Sequence, residues 1–136
     1  KEIKNLYHKS FEYQNIKVKV LNENLKNEIF DGIDIFMSFE RSKTSSFHVN
    51  IRGQIISYQK GNFYFNGVIL PTLNLNKVNL RVLLDRTTIE VFADDGFSVL
   101  SKYAISDLKD NQISVCSDDE LLFDRFEVHK LKSIWR

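Results

Sequence analysis

Short runs in which apolar and polar residues alternate cover most of the chain, and this period of two predicts β-strands. The first run occupies residues 11–20, where every second or third side chain is apolar. Later runs, rich in Phe, Tyr, Val and Ile, predict strands at 33–39, 47–51, 55–58, 63–65, 80–84, 89–93, 97–103, 113–116 and 121–131. One segment differs, because the apolar spacing within 21–30 fits one or two helical turns.

Turn residues separate these runs. Arg52-Gly53, Lys60-Gly61-Asn62 and Asp94-Asp95-Gly96 mark chain reversals, and an Asp-Gly pair between two strands is typical of a hairpin. About ten short strands at this spacing predict an all-β antiparallel sandwich or barrel. The run at 80–84 is apolar on both faces, which favours a two-sheet β-sandwich of the jelly-roll or lectin-like kind. We expect one domain over residues 11–136, with residues 1–10 as a linker or edge segment.

Composition and charge narrow the class of protein. The 136 residues include 11 Phe and 5 Tyr, which suit pleated strands in a single folded domain. Lys and Arg number 19 against 18 Asp and Glu, and this balance argues against a nucleic-acid partner. No apolar run reaches the ~18 residues that span a bilayer, so no membrane partner is expected. The amino end has no apolar region typical of a signal peptide, and the compartment stays undetermined.

Motifs for metal, nucleotide or nucleophilic chemistry are missing from the sequence. The three His residues lie far apart and there is one Cys, so we expect neither a metal site nor a cofactor. No Gly-rich phosphate loop and no Gly-x-Ser-x-Gly motif occurs. The acidic pair at 94–95 and the acidic triplet at 118–120 are interpreted as solvated turns, and Cys116 as a buried, inert thiol.

Two segments resemble a known family. Residues 85–92 read Asp-Arg-Thr-Thr-Ile-Glu-Val-Phe and resemble the Asp-Arg-Ser-x-x-Glu-Val-Phe hairpin in the carboxy-terminal β-sandwich of glycoside hydrolase family 32. Thr87 replaces the family's Ser and keeps the hydroxyl. The end of the chain, Leu131-Lys132-Ser133-Ile134-Trp135, resembles the Leu-x-Ser-Ile-Trp that closes such sandwiches. The family includes invertases, levanases, inulinases and sucrose-6-phosphate hydrolases.

The resemblance implies a non-catalytic module. The family's catalytic domain is a five-bladed β-propeller, whose carboxylates lie in Asn-Asp-Pro, Arg-Asp-Pro and Glu-Cys motifs. None of these motifs is present, since Pro71 follows Leu70 and Cys116 follows Val115. We therefore expect no catalytic residue and no enzyme activity in this chain alone. The implied parent chain is a β-fructofuranosidase-class glycoside hydrolase, which hydrolyses O-glycosyl bonds of sucrose or fructans. Its catalytic propeller is the expected partner.

The hairpin that carries the resemblance has two interpretations. Related fructan-binding sandwiches imply that Asp85, Arg86 and Glu90 hold a terminal fructose, because carboxylates and a guanidinium match the hydroxyls of a sugar. Tyr58 or Tyr103 would then offer a ring for stacking. Alternatively, Asp85 and Thr87 bond nearby backbone amides, and Arg86 with Glu90 forms an ordinary cross-strand ion pair.

Two classes of function follow, and the sequence leaves both open. The first is an accessory sandwich that packs on the propeller and supports it, and its mark would be an exposed apolar surface. The second is a carbohydrate-binding module for fructose ends, and its mark would be a small polar site at Asp85, Arg86 and Glu90. Trp135 is interpreted as closing the last strand onto the core rather than as a platform for a sugar.

Overall fold

The computed structural model describes residues 7–26, 28, 32–44, 46–65, 67–73, 75–85, 88–103, 112–117 and 121–131. Its strands are β1 (Tyr7–Lys17), β2 (Ile33–Glu40), β3 (Ser46–Ile51), β4 (Gln54–Gln59), β5 (Asn62–Phe65), β6 (Val68–Leu70), β7 (Lys77–Leu84), β8 (Thr88–Ala93), β9 (Ser98–Tyr103), β10 (Ile113–Cys116) and β11 (Leu122–Leu131). Helix α1 (Val18–Leu25) follows β1, and a short 3-10 helix spans Arg41–Lys43.

The strands form two antiparallel sheets. One has six strands in the order β1-β11-β2-β7-β8-β9, and the other has five in the order β10-β3-β4-β5-β6. The buried side chains of both sheets form a single hydrophobic core, so the predicted two-sheet β-sandwich is confirmed. Strand β1 lies at one edge of the six-stranded sheet. The predicted division at residue 10 stays a prediction.

Alternation along each strand builds the core. In β7 every second residue is buried, and β3 and β8 show the same pattern. The centre of the core is aromatic, since the Phe39 ring lies 4.8 Å from that of Tyr58 and 5.2 Å from that of Phe47, both in edge-on geometry. Such contacts add about 0.5–1.5 kcal/mol per pair to the burial itself. The Phe-rich composition thus fills the space between the sheets.

Most of the predicted strands agree with the structure, but the first run was predicted wrongly at its end. Val18 and Val20 belong to α1 and not to a strand. Asn15 has a positive φ of 51°, which ends the regular alternation, and Leu21 and Leu25 are spaced four residues apart and fully buried. Burial of this pair on one helix face outweighs the β-propensity of the two valines. The short strand β6 was not predicted.

Two interpretations of single residues are also wrong. Cys116 is exposed, because the alternation of β10 turns Ile113 and Val115 inward and Cys116 outward. Asp94 is buried, and its carboxylate accepts hydrogen bonds from the backbone amides of Leu73 and Asn79 at 2.7 and 3.1 Å. Asp94 is therefore a structural anchor, whereas Asp95 is exposed in the turn, as predicted. Residues 118–120 lie outside the described part of the chain.

The sequence predicts no membrane partner, because it has no apolar run long enough to span a bilayer. Within the described ranges, no helix has both the length and the apolar character needed to cross a bilayer.

Candidate functional site

The outer face of the six-stranded sheet, meaning the side turned away from the core, carries an organised set of polar and aromatic side chains. The cross-strand register places Phe36 of β2 opposite Glu127 of β11 on one side and Arg81 of β7 on the other. Arg81 is in turn opposite Phe92 of β8. A row of four alternately aromatic and charged residues therefore crosses four adjacent strands, because directly paired residues point to the same face.

An open cleft lies over this row. Its volume is about 490 Å³, within the range of roughly 300–1,000 Å³ typical of small-ligand sites. Besides the four residues of the row, Asp34, Asn79, Arg125 and His129 line its walls, and Asp95 with Gly96 forms one rim. We call this feature the outer-face cleft. It collects side chains from β2, β7, β8 and β11, which are far apart in the sequence.

A bidentate ion pair forms one wall of the cleft. Arg81 donates from Nε to Asp34 Oδ1 at 3.0 Å and from Nη2 to Asp34 Oδ2 at 2.8 Å. The side chain of Asp34 is only 3% exposed, whereas that of Arg81 is 41% exposed. The buried carboxylate therefore fixes one edge of the guanidinium, and the rest of the group remains beside the cleft. Two parallel N–H···O bonds hold orientation as well as charge.

The opposite wall is a chain of polar contacts along β11. Arg125, Glu127 and His129 are two residues apart and share one face. Glu127 accepts from the Arg125 guanidinium, its Oε1 lies 3.2 Å from His129 Nε2, and His129 Nδ1 lies 2.7 Å from Ser10 Oγ. Burial alone would raise the pKa of Glu127, but the hydrogen bonds and electrostatic interactions with the Arg125 and His129 side chains outweigh burial and lower it.

Aromatic surface completes the cleft. The Arg125 guanidinium carbon lies 5.1 Å from the centre of the Phe36 ring, which is the geometry of a cation–π contact. Both Phe36 and Phe92 are half-buried on the outer face, so part of each ring is open to solvent. A wall with both fixed polar groups and exposed rings can contact a ligand that is itself partly polar and partly apolar.

The rim of the cleft is held by the turn after β8. Asn79 Oδ1 accepts a hydrogen bond from the Asp95 backbone amide at 3.0 Å. The Asn79 backbone amide in turn donates to Asp94 Oδ1 at 3.1 Å. Asp94, Asp95 and Gly96 all have positive φ, at 51°, 58° and 93°. Hydrogen bonds to Asn79 attach this left-handed turn to β7. Because Arg81 is on the same strand, the rim has a defined position relative to Arg81.

One group of potential metal ligands occurs among the described residues. Ligand atoms of Glu12, Glu127 and His129 lie within 4.8 Å of one another. Glu127 is already bound by the positive Arg125, which opposes a divalent cation at the same carboxylate. His129 points its Nε2 toward Glu127 and its Nδ1 toward Ser10. We assign no metal to this group, and the absence of a metal site stays a prediction.

Two of the three sugar-binding candidates, Asp85 and Glu90, lie in the described part of the chain. Asp85 Oδ1 accepts from the Thr88 amide at 2.8 Å and from Thr88 Oγ1 at 3.0 Å, as expected of a turn residue. Glu90 is exposed on β8, and its Oε2 lies 3.4 Å from Ser101 Oγ. Arg86 lies outside the described residues, as does Thr87. The cluster of Asp85, Arg86 and Glu90 therefore stays a prediction.

The aromatic candidates have different outcomes. Tyr58 is 1% exposed in the core, so it cannot offer a face to a sugar, and the prediction is wrong for this residue. Burial raises the pKa of its hydroxyl; the Arg41 charge opposes this and the Asp94 charge adds to it. The side chain of Tyr103 and the whole of Trp135 lie outside the described part.

The outer-face cleft was not predicted from the sequence. The available signal was the polar half of the alternation in otherwise apolar strands: Asp34 lies between two isoleucines, and Arg81 between Leu80 and Val82. Such positions are usually attributed to a solvated face. Only the strand order brings β2 and β7 together and turns the two residues into an ion pair.

Comparison with known proteins gives the family. The family model described as "Glycosyl hydrolases family 32 C terminal" matches residues 12–132. The "Levanbiose-producing levanase" of Bacillus subtilis (strain 168) is 39% identical over 59 residues, which is 43% of this chain and 11% of that protein. The structure of sucrose-6-phosphate hydrolase from Lactobacillus gasseri superposes with a TM-score of 0.72 at 14% identity, covering 98% of this chain and 30% of the hydrolase.

A galectin, LEC-6 of Caenorhabditis elegans, shares the fold at a TM-score of 0.54 and 13% identity, covering 86% of this chain and 94% of the galectin. Such low identity shows the fold alone, and it agrees with the predicted lectin-like sandwich. The chain spans less than a third of the hydrolase and about a tenth of the levanase. The family match confirms the prediction of a non-catalytic carboxy-terminal module, and the chain belongs to the C-terminal domain family of family 32 glycosyl hydrolases.

Proposed function

We propose that this chain is the accessory β-sandwich of a β-fructofuranosidase-class glycoside hydrolase and that it packs on the catalytic propeller of the same protein. The names of the matched proteins, a levanase and a sucrose-6-phosphate hydrolase, support sucrose or fructans as the substrate class of the whole enzyme. Both are much longer than this chain, which leaves room in such a protein for a catalytic domain. The observation that carries the packing role is an exposed apolar edge.

This apolar edge runs along one side of the sandwich. Its residues come from β6, from the segment after β6, from the turn before β9 and from β9 itself: Val68, Ile69, Leu73, Leu75, Phe97 and Val99. Of the nine large apolar side chains that are exposed in the described part of the chain, these six lie on this edge, so the exposure is concentrated rather than scattered. Single exposed apolar residues are ordinary, whereas a concentrated group marks an interaction surface.

Hydrogen bonds hold the segments of the apolar edge together. Ser98 Oγ donates to the Pro71 carbonyl at 2.6 Å, which joins the start of β9 to the chain after β6. The Leu73 amide donates to Asp94 at 2.7 Å. These bonds link the edge strands of the two sheets, so the segments that carry the apolar residues are held next to one another along the edge.

Arg41 fixes the segment that carries Leu73 and Leu75. Its Nε donates to the Leu75 carbonyl at 2.8 Å, and its Nη2 donates to the Leu73 carbonyl and to Thr72 Oγ1, each at 2.6 Å. Its Nη1 donates to the Gly61 carbonyl at 2.9 Å. The backbone that presents the exposed leucines is therefore held in place, and docking requires little further loss of conformational entropy.

Binding between separately produced domains tests this function. The 136-residue chain is mixed with the catalytic domain of the hydrolase that carries it, and the complex is measured by size-exclusion chromatography and calorimetry. Ile69→Asp on the apolar edge is compared with Ile55→Asp, because the two isoleucines are 49% and 48% exposed in the same sheet. We expect Ile69→Asp to weaken the complex at least about tenfold and Ile55→Asp to leave it unchanged.

Equal effects of the two substitutions would show that the apolar edge is not the contact surface. No association of the unmodified domains would contradict the packing role itself. Self-association of the chain, removed by Ile69→Asp, would assign the edge to a second copy instead.

A further inference from the structure

We propose that the outer-face cleft binds a neutral saccharide unit, with Arg81, Arg125 and Glu127 as the hydrogen-bonding groups and Phe36 and Phe92 as the apolar walls. The saccharide class is inferred from the cleft itself. That the unit is fructosyl, as in sucrose, levan or inulin, rests on the proposed function.

The charges in the cleft favour a neutral ligand. Arg81 is paired with Asp34, and Arg125 is paired with Glu127, so each guanidinium is neutralised by a carboxylate in contact with it. Asp95 on the rim adds a further negative charge. A phosphate or carboxylate ligand would be repelled by these acids and would have to compete with them for the guanidinium groups. Its own charge would lose water without gaining an unneutralised positive partner.

The hydrogen-bonding groups suit hydroxyls. A sugar hydroxyl donates one hydrogen bond and accepts others, so it is matched by adjacent donors and acceptors. The guanidinium groups of Arg81 and Arg125 are donors only, and the carboxylate of Glu127 is an acceptor. Across the row, Arg81 and Glu127 lie on the two strands that flank β2, roughly 10 Å apart at the spacing of neighbouring strands. Phe36 lies between them, so a sugar ring placed over Phe36 would have the donor on one side and the acceptor on the other.

The polar groups are fixed before a ligand arrives. Asp34 holds Arg81 by two bonds, and the Phe36 ring and Glu127 hold Arg125. Because long side chains lose rotamer entropy when they are immobilised by a ligand, prior fixation favours binding. Such a preorganised wall distinguishes the cleft from a surface with freely moving Lys and Glu side chains.

The aromatic rings give the cleft its apolar component. Phe36 and Phe92 lie on either side of Arg81 in the cross-strand row. The C–H groups of a sugar ring form an apolar patch, and burial of this patch on an aromatic ring contributes through the hydrophobic effect. The alternation of ring, guanidinium and ring therefore matches the alternation of apolar and hydroxyl faces in a saccharide.

The cleft is distinct from the predicted hairpin site. Asp85 lies in the turn between β7 and β8 and bonds Thr88, and neither Asp85 nor Glu90 lines the cleft. The rim turn that carries Asp95 and Gly96 continues into Phe97 of the apolar edge. A saccharide in the cleft would thus lie beside the surface proposed to dock the catalytic domain.

Calorimetric titration of the 136-residue chain tests the proposal. The ligands are sucrose, inulin and levan fragments, with maltose as a neutral sugar without fructose and fructose 6-phosphate as an anion. The variants are Phe92→Ala and Glu127→Gln in the cleft, and Glu90→Gln on the outer face of β8 is the matched control. We expect millimolar binding of the fructosyl sugars, about tenfold weaker in both cleft variants and unchanged in Glu90→Gln. Thermal melting of each variant shows that it is folded, and Glu127→Gln keeps the shape of the side chain.

Each other outcome is decisive. No heat with any neutral sugar overturns the saccharide site and leaves the docking function untouched, because that function is tested on Ile69. Binding that is lost in Glu90→Gln but kept in both cleft variants moves the site to the hairpin and overturns the cleft. Binding of maltose alone supports the saccharide class and overturns the fructosyl assignment. Stronger binding of the phosphorylated sugar overturns the preference for a neutral ligand.

Discussion

The six-stranded sheet has two faces that differ completely, although the same strands build both. On the inner face β2 presents Ile35, Met37 and Phe39, all fully buried in the core. On the outer face the same strand presents Asp34, which is just as inaccessible but ion-paired, and the half-buried Phe36. Burial therefore does not separate core from site here. The difference lies in what surrounds the buried group.

The inner face is stabilised by area and shape, whereas the outer face is stabilised by matched polar partners. Apolar residues gain about 25 cal/mol for each Å² removed from water, and the position of any one of them tolerates small shifts. A buried carboxylate is tolerated only when specific donors satisfy it. The outer face thus needs defined positions for its side chains, and this requirement also makes it suited to recognition.

The largest effect is expected from the inner face. Phe39→Ala removes a fully buried ring that contacts Phe47, Tyr58, Phe63 and Phe123, and it should lower the free energy of unfolding by about 3–5 kcal/mol. The control is Phe36→Ala on the outer face of the same strand. Its ring is half-buried, and we expect a loss of only about 1 kcal/mol. Urea unfolding measures both.

Equal losses for Phe39→Ala and Phe36→Ala would mean that the outer face is packed like a core in solution. The two faces would then be equally well packed, and the cleft would be closed in the absence of a ligand.

The next largest effect tests the buried ion pair. Asp34→Ala should cost about 2 kcal/mol, because hydrogen bonds to charged groups contribute about 1.5–3 kcal/mol and the partly exposed Arg81 recovers some solvation. Arg81→Ala should cost at least as much, since it leaves the Asp34 carboxylate without its bidentate partner. The double variant should be more stable than the sum of the two losses predicts. Additive losses in this cycle would contradict direct coupling.

A smaller effect is expected at the hairpin turn, which belongs to neither face. Asp85→Ala removes the acceptor for Thr88 and should cost about 1 kcal/mol, measured as a lower urea midpoint. Glu90→Gln, two residues beyond Thr88 on an exposed position, should change stability by less than about 0.5 kcal/mol. A large loss in Glu90→Gln would indicate that the outer position of β8 has a partner of structural importance.

The smallest effect concerns pH. The pKa of Glu127 is lowered from its ordinary value of 4.5, so its ionised form stabilises the folded chain above about pH 4.5, and this contribution is lost as pH falls through the lower folded pKa. We expect the difference in stability between the unmodified chain and Glu127→Gln to shrink from pH 6 to about pH 3. A difference that grows toward low pH would mean that folding raises the pKa of Glu127 instead of lowering it.

The apolar half of the pattern predicted most of the fold. Strands such as β3, β7 and β8 agree with their runs because alternating Val, Ile and Leu have only one way to bury a face. The boundary at α1 was missed because Val18 and Val20 continue the alternation in the sequence, while burial of Leu21 and Leu25 requires a helix. Local propensity and tertiary packing disagreed there, and packing prevailed.

The site was predicted less well. The motif at 85–92 identified the family, yet its Asp85 proved to bond its own turn, as one of the two interpretations expected. The residues of the outer-face cleft belong to no motif, since a cross-strand pair such as Asp34 with Arg81 is separated by 47 positions. Exposure of Cys116 and burial of Asp94 were likewise decided by which way a strand or turn faces.

By itself the sequence determined the all-β class, the strand content and the family, because alternation and a short motif are local properties of the chain. Only the tertiary structure decided the strand order β1-β11-β2-β7-β8-β9, and with it which polar residues meet. The physical reason is that hydrophobic burial is non-directional and satisfied by pattern alone. Ion pairs, hydrogen bonds and the cleft they line depend on distances of a few ångströms between side chains that are remote in the sequence.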